Sequence, residues 1–95
     1  MSNQTQALEL VKARLNRLDS ALDNYLQARI DAAQLYLEGQ GISINMAKTR
    51  DLMLVVDMAV WMYSSRDQAG GFPDWLRAQV TQRWLMERKG GADDP

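Results

Sequence analysis

Leu52-Met53-Leu54-Val55-Val56-Asp57-Met58-Ala59-Val60-Trp61-Met62-Tyr63 is the longest apolar run of the chain, and a single acid interrupts it. Its twelve residues fall well short of the ~20 needed to cross a bilayer, so the run predicts a core helix rather than a membrane span. The helix is expected over about 49–66, capped by Asn45 or Thr49 and stopped by Ser64-Ser65-Arg66-Asp67. A helix that is apolar all round is buried all round. In a chain of 95 residues three further helices hardly cover it completely, which points to a second copy or a partner.

Working outward, Gly70-Gly71-Phe72-Pro73 follows the run and Gly39-Gln40-Gly41 precedes it, with Gly90-Gly91 opening an acidic end. Glycine pairs of this kind punctuate helical patterns. Pro73 fits the first position of a fourth helix over about 73–89, with Asp74 set against its positive end and Leu76, Val80 and Trp84 on one face. Residues 90–95 read as a polar tail. Toward the N-terminus, Leu22, Leu26, Ile30, Ala33 and Leu37 make one stripe of a helix over about 20–38, widened by Tyr25, Ala32 and Tyr36. Asp19 or Ser20 fits its N-cap, Ser20 standing three before Asp23 at the spacing of a capping box, and Gly39 fits a left-handed cap at the other end. Leu8, Val11, Leu15 and Leu18 recur at helical spacing and predict a short first helix over about 6–18. Ile42-Ser43-Ile44 alternates, but residues 40–48 lack a period and read as a loop. The expected fold is therefore all-α, a single domain of about four helices.

Composition narrows the chemistry. The chain has no cysteine and no histidine, which removes disulfides, the commonest metal ligands and the commonest general base. Eleven basic against twelve acidic residues give a net charge of −1, so no global positive field holds a polyanion. The first six residues carry no basic or apolar cluster of a secretory leader, and a cytoplasmic protein is expected. No phosphate-cradling glycine pattern is present. No catalytic, cofactor-binding or metal-binding residue is singled out.

The informative residues concern packing and association. Asp57, inside the apolar run, must be neutral, paired or turned to water. It is expected to be a buried structural carboxylate paired with Arg83 or Arg77. Trp61 and Trp84 sit at core spacing, as do Met58 and Met62, whereas Trp75 lies in the first turn of the last helix beside Phe72, where it suits an interface anchor. Charge is divided between helices. Arg77, Arg83, Arg88 and Lys89 against Glu87 give residues 77–89 a charge of +3; Asp19, Asp23, Asp31 and Glu38 against Arg29 give residues 19–38 a charge of −3. Opposite charge on two elements steers head-to-tail contacts between identical chains. Phe72, Trp75, Arg77, Arg88, Asp23 and Asp31 are thus the candidate interface residues.

A more specific pattern runs through these helices. Thr49-Arg50-Asp51-Leu52 through Tyr63, then Ser64-Ser65-Arg66-Asp67, the glycine turn and Pro73-Asp74-Trp75-Leu76, resembles the small head-to-tail connector proteins of tailed phages and prophages. At the front, Leu10-Val11-Lys12-Ala13-Arg14-Leu15 and Leu22-Asp23-Asn24-Tyr25-Leu26-Gln27-Ala28-Arg29-Ile30-Asp31-Ala32-Ala33 resemble that family's opening helices. The resemblance spans roughly residues 8 to 86 and is one of residue types. It implies a structural subunit that docks beneath the portal protein as a ring of about twelve copies and extends the DNA channel toward the tail. The implied partners are other copies of the chain, the portal and the next tail-side protein, with DNA passing through unbound. The implied location is the head-tail junction of a virion assembled in a bacterial cytoplasm. By position, the last helix and tail suit portal contact, and residues 39–48 suit the tail-side neighbour.

Two other classes compete. A small helical regulator or inhibitor that binds one protein as a monomer or dimer uses an apolar helix and exposed aromatics equally well. An enzyme of the chorismate mutase type is suggested by Arg14, Arg29 and Arg50 on helices. However, the lysine expected about eleven residues after the second-helix arginine is replaced by Gln40, and Lys48 lies on another segment.

Overall fold

The computed structural model describes residues 3–17, 19–65 and 71–93. They form α1 (Asn3–Arg14), α2 (Asp23–Gly39), α3 (Thr49–Ser64) and α4 (Asp74–Asp93), with no strand among the described residues. The all-α expectation holds.

The helix ends are set by local chemistry that the apolar spacing did not reveal. α1 starts and stops earlier than the expected 6–18. Asn16 adopts φ 57°, the Arg17 N–H reaches the Lys12 carbonyl at 2.8 Å, and the Asn16 N–H reaches Ala13 at 3.2 Å. This is a Schellman closure, with asparagine tolerating the left-handed conformation that usually calls for glycine. Leu18 lies outside the described residues. α2 closes in the same way, and the left-handed residue is Gly41 at φ 91° rather than Gly39, which is still helical. Ile42 N–H bonds to Leu37 O at 3.2 Å and Gly41 N–H to Glu38 O at 3.0 Å. Ile42 and Leu37, both buried, supply the apolar contact of the motif.

The expected N-caps also differ. Leu22 stands at the N-cap of α2 without a side-chain cap bond, so the Ser20–Asp23 capping box does not form. Asp19, the other expected cap, accepts the Ala21 N–H on its Oδ1 at 3.1 Å before the helix begins, and the Ser20 carbonyl accepts the Asp23 N–H at 3.2 Å, so this segment is a turn and neither residue caps α2. Lys48 is the N-cap of α3, displacing Asn45 and Thr49. The Asn45 carboxamide is used on the Ala47 N–H at 3.0 Å, one turn too early. α3 ends at Ser64, and Arg66 lies outside the described residues. α4 begins at Asp74, directly after Pro73, and continues through Gly90-Gly91 to Asp93, so the expected tail from residue 90 is helical as far as 93.

One core is built where α1, α2 and α4 pack on α3. α1 contributes Ala7 and Val11; α2 contributes Leu26, Ile30, Ala33 and Leu37; α3 contributes Leu52, Leu54, Val55, Val56, Met58 and Ala59. The loop before α3 adds Ile42 and Met46, and α4 adds Leu76. Burial of α3 is not uniform, because Val60 through Tyr63 are only half-buried. α1 and α2 are further joined by an amide ladder, Gln27 to Gln4 at 3.0 Å and Gln4 to Gln34 at 3.1 Å.

Candidate functional site

α4 is attached to the rest of the molecule by few apolar groups and one polar knot, and this arrangement decides which of its side chains face outward. Leu76 is its fully buried side chain, with Val80 and Trp84 partly buried behind it. Beyond Leu76 the same face carries Arg83, 8% exposed, whose Nε donates to Asp51 Oδ1 at 2.7 Å and whose Nη2 donates to the Ser43 carbonyl at 2.9 Å. Asp51 is wholly buried in the first turn of α3, and its other oxygen accepts the Asn45 N–H at 2.9 Å. Glu87, one turn beyond Arg83, accepts the Ser43 N–H at 2.5 Å. The knot therefore ties α4 to both α3 and the loop.

Its electrostatics follow from the contacts. Burial alone raises the Asp51 pKa, but the hydrogen bonds from Arg83 and Asn45 and the charges of Arg83 and Arg50 outweigh it, and the carboxyl titrates below its ordinary 3.8. Arg83 is pushed up, chiefly by its bond to Asp51. Glu87 is held down by the Ser43 N–H.

The expectation for Asp57 is corrected here. Its partner is Arg14 of α1, at 2.6 Å, and not Arg83 or Arg77. Its side chain keeps 18% exposure, so the fully buried carboxylate of α3 is Asp51. Arg83 is committed to Asp51, and Arg77 pairs with Asp74 at 2.5 Å on the surface. The sequence offers Arg83 as the partner of a buried carboxylate but points to Asp57 rather than Asp51 as that acid, although Asp51 and Arg83 each lie on an apolar face. Asp51 precedes Leu54, Val55 and Met58 at helical spacings, and Arg83 follows Val80 and Leu76 by three and seven.

The remaining candidates divide. Phe72 is half-buried, packed between Trp61 at 4.8 Å and Tyr36 at 5.0 Å between ring centroids. Asp23 is engaged by Lys12 at 3.0 Å. Asp31 is exposed on the outer side of α2 and accepts from Gln27 at 3.1 Å. Trp75 is 50% exposed, and Arg88 is exposed with its guanidinium stacked 4.7 Å from the Trp84 ring centre. Leu85 at 54% and Met86 at 43% share the open side of α4 with Trp75. The structure thus brings Trp75, Arg77 and Arg88 onto one exposed helix, and holds Phe72 and Asp23 by intramolecular contacts.

A cleft of about 150 Å³ lies between α3 and α4, lined by Arg50, Leu54, Gln79, Gln82, Arg83 and Met86. The three arginines that prompted the mutase comparison engage three different neighbours: Arg14 pairs with Asp57, Arg50 approaches Asp51 at 3.6 Å, and Arg29 lies over Tyr25 at 5.5 Å. Among the described residues no cluster of acids is disposed to hold a metal ion, and no helix is long and apolar enough to cross a membrane. Compared with protein-family models, curated proteins and solved structures, the chain gives no match.

Proposed function

We propose that this chain is a structural subunit of the head-to-tail junction of a tailed phage or prophage, assembling with copies of itself as a ring beneath the portal and continuing the DNA channel toward the tail. The supporting observation is the open side of α4, where Trp75, Leu85 and Met86 leave large apolar side chains in water on a small all-α domain. Such a face serves association rather than chemistry. The sequence resemblance supplies the identity of the assembly, and the near-neutral charge suits a channel wall that lets DNA pass without gripping it. No catalytic role is part of this reading.

The test is purification of a tagged copy from its source cells after phage infection or prophage induction, with mass spectrometry of what accompanies it. Recovery of portal and tail proteins is expected. Recovery of a single host protein without virion components overturns the connector reading and favours a helical regulator.

A further inference from the structure

Two helix faces of this domain are left uncovered, and they are complementary. On α2, the side turned away from both α1 and α3 carries Asn24, Ala28, Asp31, Leu35 and Glu38, all exposed, at successive spacings of four, three, four and three residues. Leu35, 69% exposed, is the most open large apolar side chain of the described residues, and Asp31 and Glu38 flank it. On α4, the open side carries Trp75, Ala78, Gln82 and Leu85, again all exposed, spaced three, four and three, with Gln82 at the edge that borders the cleft to α3. This alternation is the seam spacing by which one helix seats its side chains against another. The α4 seam is about 15 Å long and the α2 seam about 21 Å, so the first fits within the second.

The charges beside the seams are opposite in sign. Asp31 and Glu38 lie on the α2 side; Arg77 and Arg88 lie exposed beside the α4 seam, Arg77 in a surface pair with Asp74 of its own first turn and Arg88 stacked on Trp84, contacts that leave both guanidinium groups open to water. Asp23, the other acid of α2's first turns, is half-buried against a buried Lys12, unlike the open Arg77–Asp74 pair, and takes no part. A hollow of about 330 Å³ lined by Asp31, Gln34, Leu35 and Glu38 offers room for a large side chain.

We infer that the outer face of α4 on one copy docks on the outer face of α2 on the next, with Trp75 of one copy placed against Leu35 and the hollow of its neighbour. Within one chain the two faces look away from α3, on which both helices pack, so each finds its complement only on a different copy. The contact is therefore heterologous: it propagates from copy to copy and closes as a ring or continues as a filament. This rests on the self-assembly in the proposed function and names the surfaces that carry it.

The experiment is sedimentation velocity on the full chain and on two charge-reversed variants, D31K/E38K and R77E/R88E, with circular dichroism to check that each stays helical. All four positions are exposed, so the fold is retained. Wild type is expected to form larger species as concentration rises, and each variant alone is expected to associate about tenfold more weakly or less. An equimolar mixture is expected to restore assembly, because each reversed face then meets its opposite on the other variant. A wild type that stays monomeric at millimolar concentration overturns the proposal. So does a variant that assembles like wild type, or a mixture that fails to assemble. If rings form but ignore both reversals, this interface is wrong while the connector reading stands. If the reversals behave as expected but purification from induced cells yields no virion protein, the interface stands and the connector reading falls.

Discussion

Arg83 of α4 and Asp51 of α3, 32 residues apart in the chain, form a 2.7 Å charge-assisted hydrogen bond in which the carboxylate is withdrawn entirely from water. Both groups have further partners, the Ser43 carbonyl for the guanidinium and the Asn45 N–H for the carboxylate. A buried ion pair contributes net stability only when such bonds offset the desolvation of both charges. Here they also fix the rotation of α4 about its axis. With Arg83 turned inward, Trp75 and Leu85 are turned outward.

Removing one member of that pair leaves the other charged and buried. R83A is expected to lower unfolding stability by about 3 kcal/mol, or about 15 °C in Tm for a domain of this size. The double variant D51N/R83M is expected to lose less than the sum of D51N and R83M, since no uncompensated charge remains. Urea titrations of the three variants against wild type measure the coupling, and strictly additive losses contradict it.

The pair also sets a pH dependence. Asp51 titrates lower in the folded chain than its ordinary 3.8, so the unfolded state binds its proton first as pH falls. Its contribution is therefore fully present above about pH 5, declines as pH drops through 3.8, and is lost below the folded-state value. The gap in unfolding free energy between wild type and D51N, measured from pH 7 to pH 3, is expected to narrow toward the acid end. A gap that stays constant over that range sinks the assignment.

How much of this was legible depends on whether the determining contact is periodic. The four helices and the core residues Leu26, Ile30, Leu37, Val55 and Leu76 follow from apolar spacing, because burial of one face is what that spacing records. The helix ends follow only in part: α3 and α4 begin at or next to the expected 49 and 73, whereas α1 stops at Arg14, short of the expected 18. Asn16 closes α1 by adopting a left-handed φ, and a polar side chain gives no periodic signal for that choice. The Asp57 reading failed for a different reason. An acid within a linear apolar run draws attention, but a helix buries by face, and Asp57 faces Arg14 of α1 while Asp51 shares the inner face with Val55. The open side of α4 was half-legible: Trp75 was singled out, whereas Leu85 and Met86 are exposed only because Arg83 and Leu76 hold the opposite side inward.

The two glycines around Gln40 should respond oppositely to alanine. Gly41 has φ 91°, and a Cβ there meets Trp84 Nε1 at an ordinary 3.7 Å, so the cost of G41A is backbone strain of about 1–2 kcal/mol rather than a clash. Gly39 is helical with open space around it, and G39A is expected to stabilise by about 0.5–1 kcal/mol. Thermal unfolding of both variants decides the matter. If Gly39 rather than Gly41 were the left-handed cap, the signs would exchange.

Arg14 and Asp57 repeat the chemistry of Arg83 and Asp51 in a wetter place, and salt should separate the two. The Arg14 side chain is 43% exposed and that of Asp57 18%, against 9% and none for the buried pair. Mobile ions reach the first pair and screen it, while the second lies behind α4 and the 40–48 loop, where screening is weak. Exposed pairs contribute little, so R14A is expected to cost under about 1 kcal/mol in low salt and close to nothing in molar salt. The cost of R83A is expected to change little across the same range, because it arises from desolvation of an unpartnered Asp51 rather than from long-range attraction. Unfolding of wild type, R14A and R83A in dilute buffer and in molar sodium chloride gives both comparisons. A salt-insensitive R14A would mean that its side chain acts through packing against α3, and a salt-sensitive R83A would mean that water reaches Asp51.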